Sequence, residues 1–145
     1  MQIACVLYRP FTALDLVGAY QVFTSWPDAR IELVAETRDV VMDDTGVMAF
    51  TPTATFGDVV APDLVVIPGS SKPLASLGDE TLLGWLRRVE PTAKWMTSVC
   101  TGSGLLAAAD CSPAAGARLT GRTAKSSPRW VPRCSPSATC STTSS

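Results

Sequence analysis

The stretch KWMTSVCTGSGLLAAA, residues 94–109, decides how the rest of the chain is read. An apolar run over residues 95–99 stops at Cys100, four small residues follow (Thr101, Gly102, Ser103, Gly104), and residues 105–109 are helix formers. The pattern predicts a strand, a sharp turn and a helix, with a cysteine at the corner. A thiol at such a corner projects from the backbone beside the first unpaired N–H groups of the helix, which favour the nucleophilic thiolate. Free cysteine is also among the most buried residue types, so this stretch alone leaves open a structural cysteine.

Outward from that corner, the chain predicts alternating strands and helices. Residues 3–8 (IACVLY) form a continuous apolar run typical of a buried parallel strand, broken by Arg9-Pro10. Leu14, Val17, Val22 and Phe23 predict a helix over 14–25, ended at Pro27-Asp28. Residues 31–35 read as a second strand. Residues 40–42 and 47–50 flank the turn Asp43-Asp44-Thr45-Gly46, and residues 51–55 continue this β-rich excursion. Leu64–Ile67 is a buried strand stopped by Pro68-Gly69. Asp79 is placed to cap a helix over Glu80–Val89 that turns Leu82, Leu83, Leu86 and Val89 inward. Residues 94–99 lead back to Cys100. Cys5, Trp85 and Trp95 read as packing residues.

This alternation predicts an α/β domain with a doubly wound, mostly parallel sheet, whose chemistry gathers at the carboxyl ends of the strands. Three segments meet there: the loop and helix start at 10–15, the turn at 68–71, and Cys100-Thr101. Taken singly, the 68–71 turn is only a turn and Asp15 only an acidic residue in a first helical turn.

Composition narrows the chemistry. The 145 residues contain no histidine, so neither a Cys–His nor a Ser–His pair can form within this chain. Five cysteines at irregular spacing, without C-x-x-C, suggest neither a disulfide framework nor a zinc site. Asp43-Asp44 reads as a turn and not a metal site, and no glycine-rich phosphate loop follows the first strand, so neither metal nor cofactor is expected. No apolar run reaches the ~18 residues that span a bilayer, and the start lacks a secretory signal pattern, so the expected location is the cytoplasm.

The quoted words resemble the DJ-1/PfpI superfamily, within it the isocyanide hydratase-like branch. They are LDLVG at 14–18, VIPG at 66–69 and TSVCTGS at 97–103, and the likeness runs from Met1 to about residue 109. The resemblance implies a flavodoxin-like fold and a homodimer. It places the nucleophile on Cys100, its acidic partner on Asp15, a positioning hydroxyl on Thr101, and oxyanion-type amides at Gly69 and Ser70. It implies a small-molecule substrate, with no nucleic acid or membrane partner. The implied activity is hydration of an isocyanide to an N-formamide. Other activities of the superfamily (amidase- or glyoxalase-like), and a regulatory, stress-related or truncated inactive product, stand as alternatives.

The text changes after residue 109. All thirteen acidic residues lie at or before Asp110, and the remainder is rich in Ser, Pro, Thr, Arg and Cys. Composition alone predicts a disordered or linker segment over 110–145 beside a partial domain over 1–109. The genetic code offers a second reading. Taken one base earlier, the codons of Asp110-Cys111-Ser112 permit Gly-Leu-Leu, and those of residues 118–121 permit Thr-His-Trp, words that continue the family pattern. A one-base frameshift near Ala109 is therefore expected, leaving a fold that is incomplete at its C-terminal end and lacks the family's remaining histidine.

Overall fold

The computed structural model describes residues 1–111. In order these form β1 (Gln2–Val6), α1 (Ala13–Phe23), β2 (Arg30–Ala35), β3 (Val41–Met42), β4 (Ala49–Phe50), β5 (Ala54–Thr55), β6 (Leu64–Ile67), α2 (Glu80–Val89), β7 (Trp95–Ser98) and α3 (Ser103–Ala108). Five strands make one sheet in the order β5-β2-β1-β6-β7, and every pairing in it is parallel. β3 and β4 pair antiparallel as a separate ribbon around the Asp43-Asp44 turn. This is the doubly wound, parallel arrangement expected from the alternation, and the flavodoxin-like fold that the resemblance implies.

The strand order fixes where chemistry can sit. From β1 the chain winds outward through α1 to β2, and from β6 it winds the other way through α2 to β7. Right-handed crossovers place helices of the two units on opposite faces of the sheet. The winding direction reverses between β1 and β6, and in such sheets the crevice at that reversal is where ligands bind.

Both faces of the central strands are covered, so β6 and all of β1 after Gln2 can be apolar: Ile3, Ala4, Cys5, Val6, Leu64, Val65, Val66 and Ile67 are all buried. Burial pushes the Cys5 thiol up to about 12, marking it as a packing residue. α2 follows its predicted bounds. The Asp79 carboxylate accepts the Leu82 N–H at 3.0 Å as an N-cap, and Leu82, Leu83, Leu86 and Val89 face the core. Trp85 joins them, stacked on Phe56 at 4.8 Å and donating its indole N–H to the Val59 carbonyl at 2.8 Å.

One expectation changes, that of Trp95 as a packing residue. On α1, predicted from its apolar spacing, that spacing does not mark the buried face: Leu14 is 77% exposed and Val22 69%, while Ala13 and Leu16 point inward. With small and apolar residues on all sides of α1, periodicity had no polar face to contrast with. Trp95 is 46% exposed because β7 is an edge strand among the described residues.

α3 ends in a hydrogen-bonded cap. Asp110 has φ +55°, its N–H donates to the Ala107 carbonyl at 3.1 Å, and the Cys111 N–H reaches back to the Leu106 carbonyl at 2.9 Å. This is a Schellman cap, whose left-handed position favours glycine. Glycine is the residue that the shifted frame permits at 110. The expected tail lies outside the described residues beyond Cys111.

Asp63 ties three strands at their amino ends. Its carboxylate accepts the Gln2 N–H at 2.8 Å and pairs with Lys94 at 2.7 Å, while its carbonyl accepts the Lys94 N–H at 2.9 Å. Lys94 first, then the Gln2 amide, holds this carboxyl below the ordinary aspartate range. A depressed carboxyl stabilises the fold above its unfolded pKa, and that contribution disappears as pH falls through the folded value. Thermal melts of Asp63→Asn from pH 7 to pH 3 should therefore show a lower Tm at neutral pH, with the gap to the parent chain closing as the medium becomes acidic.

Candidate active site

Cys100 comes one residue after the end of β7, beyond Val99, and lies at the mouth of the crevice. Its backbone sits at φ +53°, and its side chain is exposed. For a residue with a Cβ this left-handed conformation costs roughly 1–2 kcal/mol, so the surrounding packing must impose it. The packing is visible at Gly102, two residues on. A Cβ there would collide with the Ile67 and Pro68 carbonyls, so the elbow lies directly on the end of β6. A glycine at 102 is thus a condition of the sharp turn that lifts Cys100 out of the sheet.

Gly69 is the second close approach, and it joins the two expected reacting groups. A Cβ on Gly69 would lie 2.6 Å from Asp15 Oδ2, 2.9 Å from Cys100 Cβ and 2.9 Å from the Thr101 nitrogen. Asp15, Cys100 and Thr101 therefore converge on one bare Cα. The contact is bonded as well as packed: the Gly69 N–H donates to Asp15 Oδ2 at 3.0 Å, and the Gly69 carbonyl accepts the Thr12 N–H at 2.8 Å. Asp15, in the first turn of α1, is thereby fixed over the turn after β6.

The next residue is fixed from the opposite side. The Ser70 N–H donates to Thr101 Oγ1 at 2.9 Å, and the Thr101 hydroxyl donates to the Ser70 carbonyl at 3.0 Å. Ser70 is buried, and its own Oγ accepts the Lys72 N–H at 2.9 Å, which shapes the turn. The five residues singled out from the sequence, Cys100, Asp15, Thr101, Gly69 and Ser70, thus lie together. Their contacts also reveal what sequence could not: the Gly69 and Ser70 amides already serve Asp15 and Thr101. The Thr101 hydroxyl bonds both ends of the Ser70 backbone.

Tyr8, Thr12 and Asp44 complete the surroundings and were not singled out from sequence. Tyr8 is buried beneath the turn and donates its hydroxyl to the Pro68 carbonyl at 2.7 Å. Burial, and then the nearby charges of Asp15, Cys100 and Asp44, push the Tyr8 hydroxyl well above its ordinary range, so it stays a proton donor to Pro68. Asp44 accepts from Thr12 Oγ1 at 2.7 Å and from the Ser71 N–H at 3.0 Å. These residues come from 32, 27 and 60 positions apart along the chain, so no local word in the sequence announces them.

A separate cleft of about 360 Å³ opens between the ends of β1 and β2, lined in part by Leu7, Arg9, Glu36 and Phe56. It touches Tyr8 but none of Cys100, Asp15 or Gly69. No cluster of metal-ligating side chains occurs among the described residues, and Asp43 instead closes its own turn by accepting from Thr45 Oγ1 and the Val47 and Met48 amides. No helix among the described residues is long and apolar enough to cross a membrane.

Comparisons with known proteins agree with this fold. The profile of the DJ-1/PfpI family matches residues 1–127, a longer span than the resemblance over residues 1 to about 109. The chain is 37% identical over 109 residues to an isonitrile hydratase of Pseudomonas putida, covering 75% of this chain and 47% of that protein. It superposes on the crystal structure of a ThiJ/PfpI family protein from Pseudomonas syringae with a TM-score of 0.70 and 39% identity, over 74% of this chain and 45% of the other. A two-domain protein from Anabaena variabilis with DJ-1/ThiJ/PfpI-like and ferritin-like domains shares the fold at 15% identity, TM-score 0.65, over 77% of this chain and 34% of the other. The chain spans about half the length of the curated relative it matches.

The Gly69 contacts make a direct prediction. Two of the three atoms that a new Cβ would meet are a backbone nitrogen and the Cβ of the elbow residue, neither of which can swing aside. Gly69→Ala should destabilise the chain by about 1–3 kcal/mol in a urea melt, the usual range for overpacking. It should also change the rate at which Cys100 is alkylated, since the elbow must move to make room.

Proposed function

Since the chain belongs to the DJ-1/PfpI family, we propose that its site is built for cysteine-dependent addition of water to an isocyanide, giving an N-formamide. One observation carries the reading: an exposed cysteine in a left-handed elbow, packed with a carboxylate against the same glycine. The chain contains no histidine, so Asp15 is the acid–base group within reach of the thiol. The named relative, an isonitrile hydratase, supports the choice of substrate class.

The chemistry balances with these groups alone. Asp15 takes the thiol proton, and the Cys100 sulfur bonds to the terminal carbon of R–N≡C. Asp15 returns the proton to that carbon, leaving the thioimidate R–N=CH–S–Cys. Water then adds to the same carbon, its proton relayed through Asp15 to nitrogen. Finally the remaining hydroxyl proton passes to Asp15, the C–S bond breaks, and R–NH–CHO departs as the thiolate is restored. Because the Gly69 and Ser70 amides are engaged elsewhere, the Cys100 and Thr101 amides are the donors assigned to developing negative charge. Thr101 acts through Ser70, holding the turn on which Asp15 rests.

Purified chain incubated with an alkyl isocyanide, with formamide followed by chromatography, tests the proposal. Cys100→Ser should give no product above the uncatalysed rate. Asp15→Ala should lose about 100-fold or more, the usual contribution of a positioned acid–base group. Full activity in either variant would remove the assignment.

A further inference from the structure

We infer that Asp44 is a positioning residue for the reaction at Cys100, acting by tying the start of α1 to the turn after β6. The inference rests on the placing of chemistry at Cys100 and Asp15, but not on the identity of the substrate.

The contrast with its neighbour carries the argument. Asp43 serves its own turn: its carboxylate accepts from Thr45 and from the Val47 and Met48 amides, all within five residues. Asp44 contributes nothing to that turn through its side chain. Its Oδ2 instead accepts from Thr12 Oγ1 at 2.7 Å and the Ser71 N–H at 3.0 Å, and its own N–H donates to the Phe11 carbonyl at 2.8 Å. The adjacent Phe11–Asp43 bridge holds the same two segments together. Thr12 is the N-cap position of α1, yet its hydroxyl makes no cap bond to the helix and is spent on Asp44.

The two partners of Asp44 sit three residues before Asp15 and two residues after Gly69. The bond that matters for chemistry, Gly69 N–H to Asp15 Oδ2, therefore spans a gap that Asp44 bridges a second time, from outside. Removing the bridge leaves α1 and the turn joined at the carboxylate of Asp15 and the single Thr12 N–H to Gly69 carbonyl bond. A carboxylate that drifts by a fraction of an ångström from the reacting sulfur loses much of its effect on rate while substrate binding is little changed. Thr12 first, then the Ser71 amide, holds the Asp44 carboxyl below its ordinary range, so it is ionised and accepts both bonds at neutral pH.

The test compares Asp44→Ala and Asp44→Asn in the full chain, by isocyanide hydration and by iodoacetamide alkylation of Cys100 mapped by peptide mass spectrometry. Asp44→Ala should lower kcat about tenfold or more with KM within about twofold, and should slow Cys100 alkylation at least about threefold. Asp44→Asn keeps an oxygen that can accept both bonds, and should return both readouts to within about twofold of the parent chain. Parent-like rates in Asp44→Ala, or equal losses in the Ala and Asn variants, would overturn the inference. If Asp44→Ala does not fold, Thr12→Val decides in the same assays, since it removes one arm of the bridge without changing side-chain shape. Slower alkylation supports the inference, and an unchanged rate overturns it. A parent chain inert toward isocyanides would defeat the proposed activity, and the alkylation comparison would still judge Asp44.

Discussion

The absence of one side chain organises this site. At Gly69 the chain passes so close to Asp15, to Cys100 and to the Thr101 backbone that no Cβ fits between them. Everything else in the crevice keeps those groups against that bare Cα. Tyr8 holds the turn from below through Pro68, Thr101 holds it from the β7 side through Ser70, and Thr12 and Asp44 hold it from α1 and the β3–β4 ribbon. The left-handed backbone at Cys100 is affordable only in such a frame, because the strain of one residue is offset by bonds distributed over four segments.

The fold follows from the same logic one level up. A parallel sheet buried on both faces asks for strands without polar alternation, and β1 and β6 supply them. The reversal of winding between those two strands opens the crevice, and the segments that leave them carry Thr12, the first turn of α1 with Asp15, and the 68–71 turn to its mouth. Cys100 arrives from the next strand along. Site and topology are therefore not separable. A change at Gly102, which lets the elbow settle on β6, would disturb the sheet end and the nucleophile together.

Much of this was legible in the residues, and the parts that were not share a cause. The apolar runs of β1 and β6, the capped helix at Glu80–Val89, and the strand–corner–helix around Cys100 are local patterns, each stated within about a dozen neighbouring residues. The helix at residues 13–23 was legible from its apolar spacing but its inward face was not, because Leu14, Val17 and Val22 are apolar yet exposed and no polar stripe opposes them. Asp44 looked like the turn residue that Asp43 is, since adjacent aspartates in a DDTG word carry nothing to tell them apart. Their roles diverge only when residues 12 and 71 are brought alongside. Likewise, the Gly69 and Ser70 amides were read as donors awaiting a substrate, and only three dimensions show that Asp15 and Thr101 already occupy them.

The central claim is that, among the three cysteines of the described residues, packing singles out one thiol as the reactive one. Cys5 lies inside β1 and Cys111 beneath the cap of α3, and burial raises their thiols to about 12 and about 11. The most direct measurement is competitive labelling of the folded chain with sub-stoichiometric iodoacetamide at neutral pH, comparing the peptides that contain residues 5, 100 and 111. The account predicts label on Cys100 while Cys5 and Cys111 stay unmodified until the chain is unfolded. Equal labelling of the three in the folded chain, or protection of Cys100 alongside the other two, would contradict it.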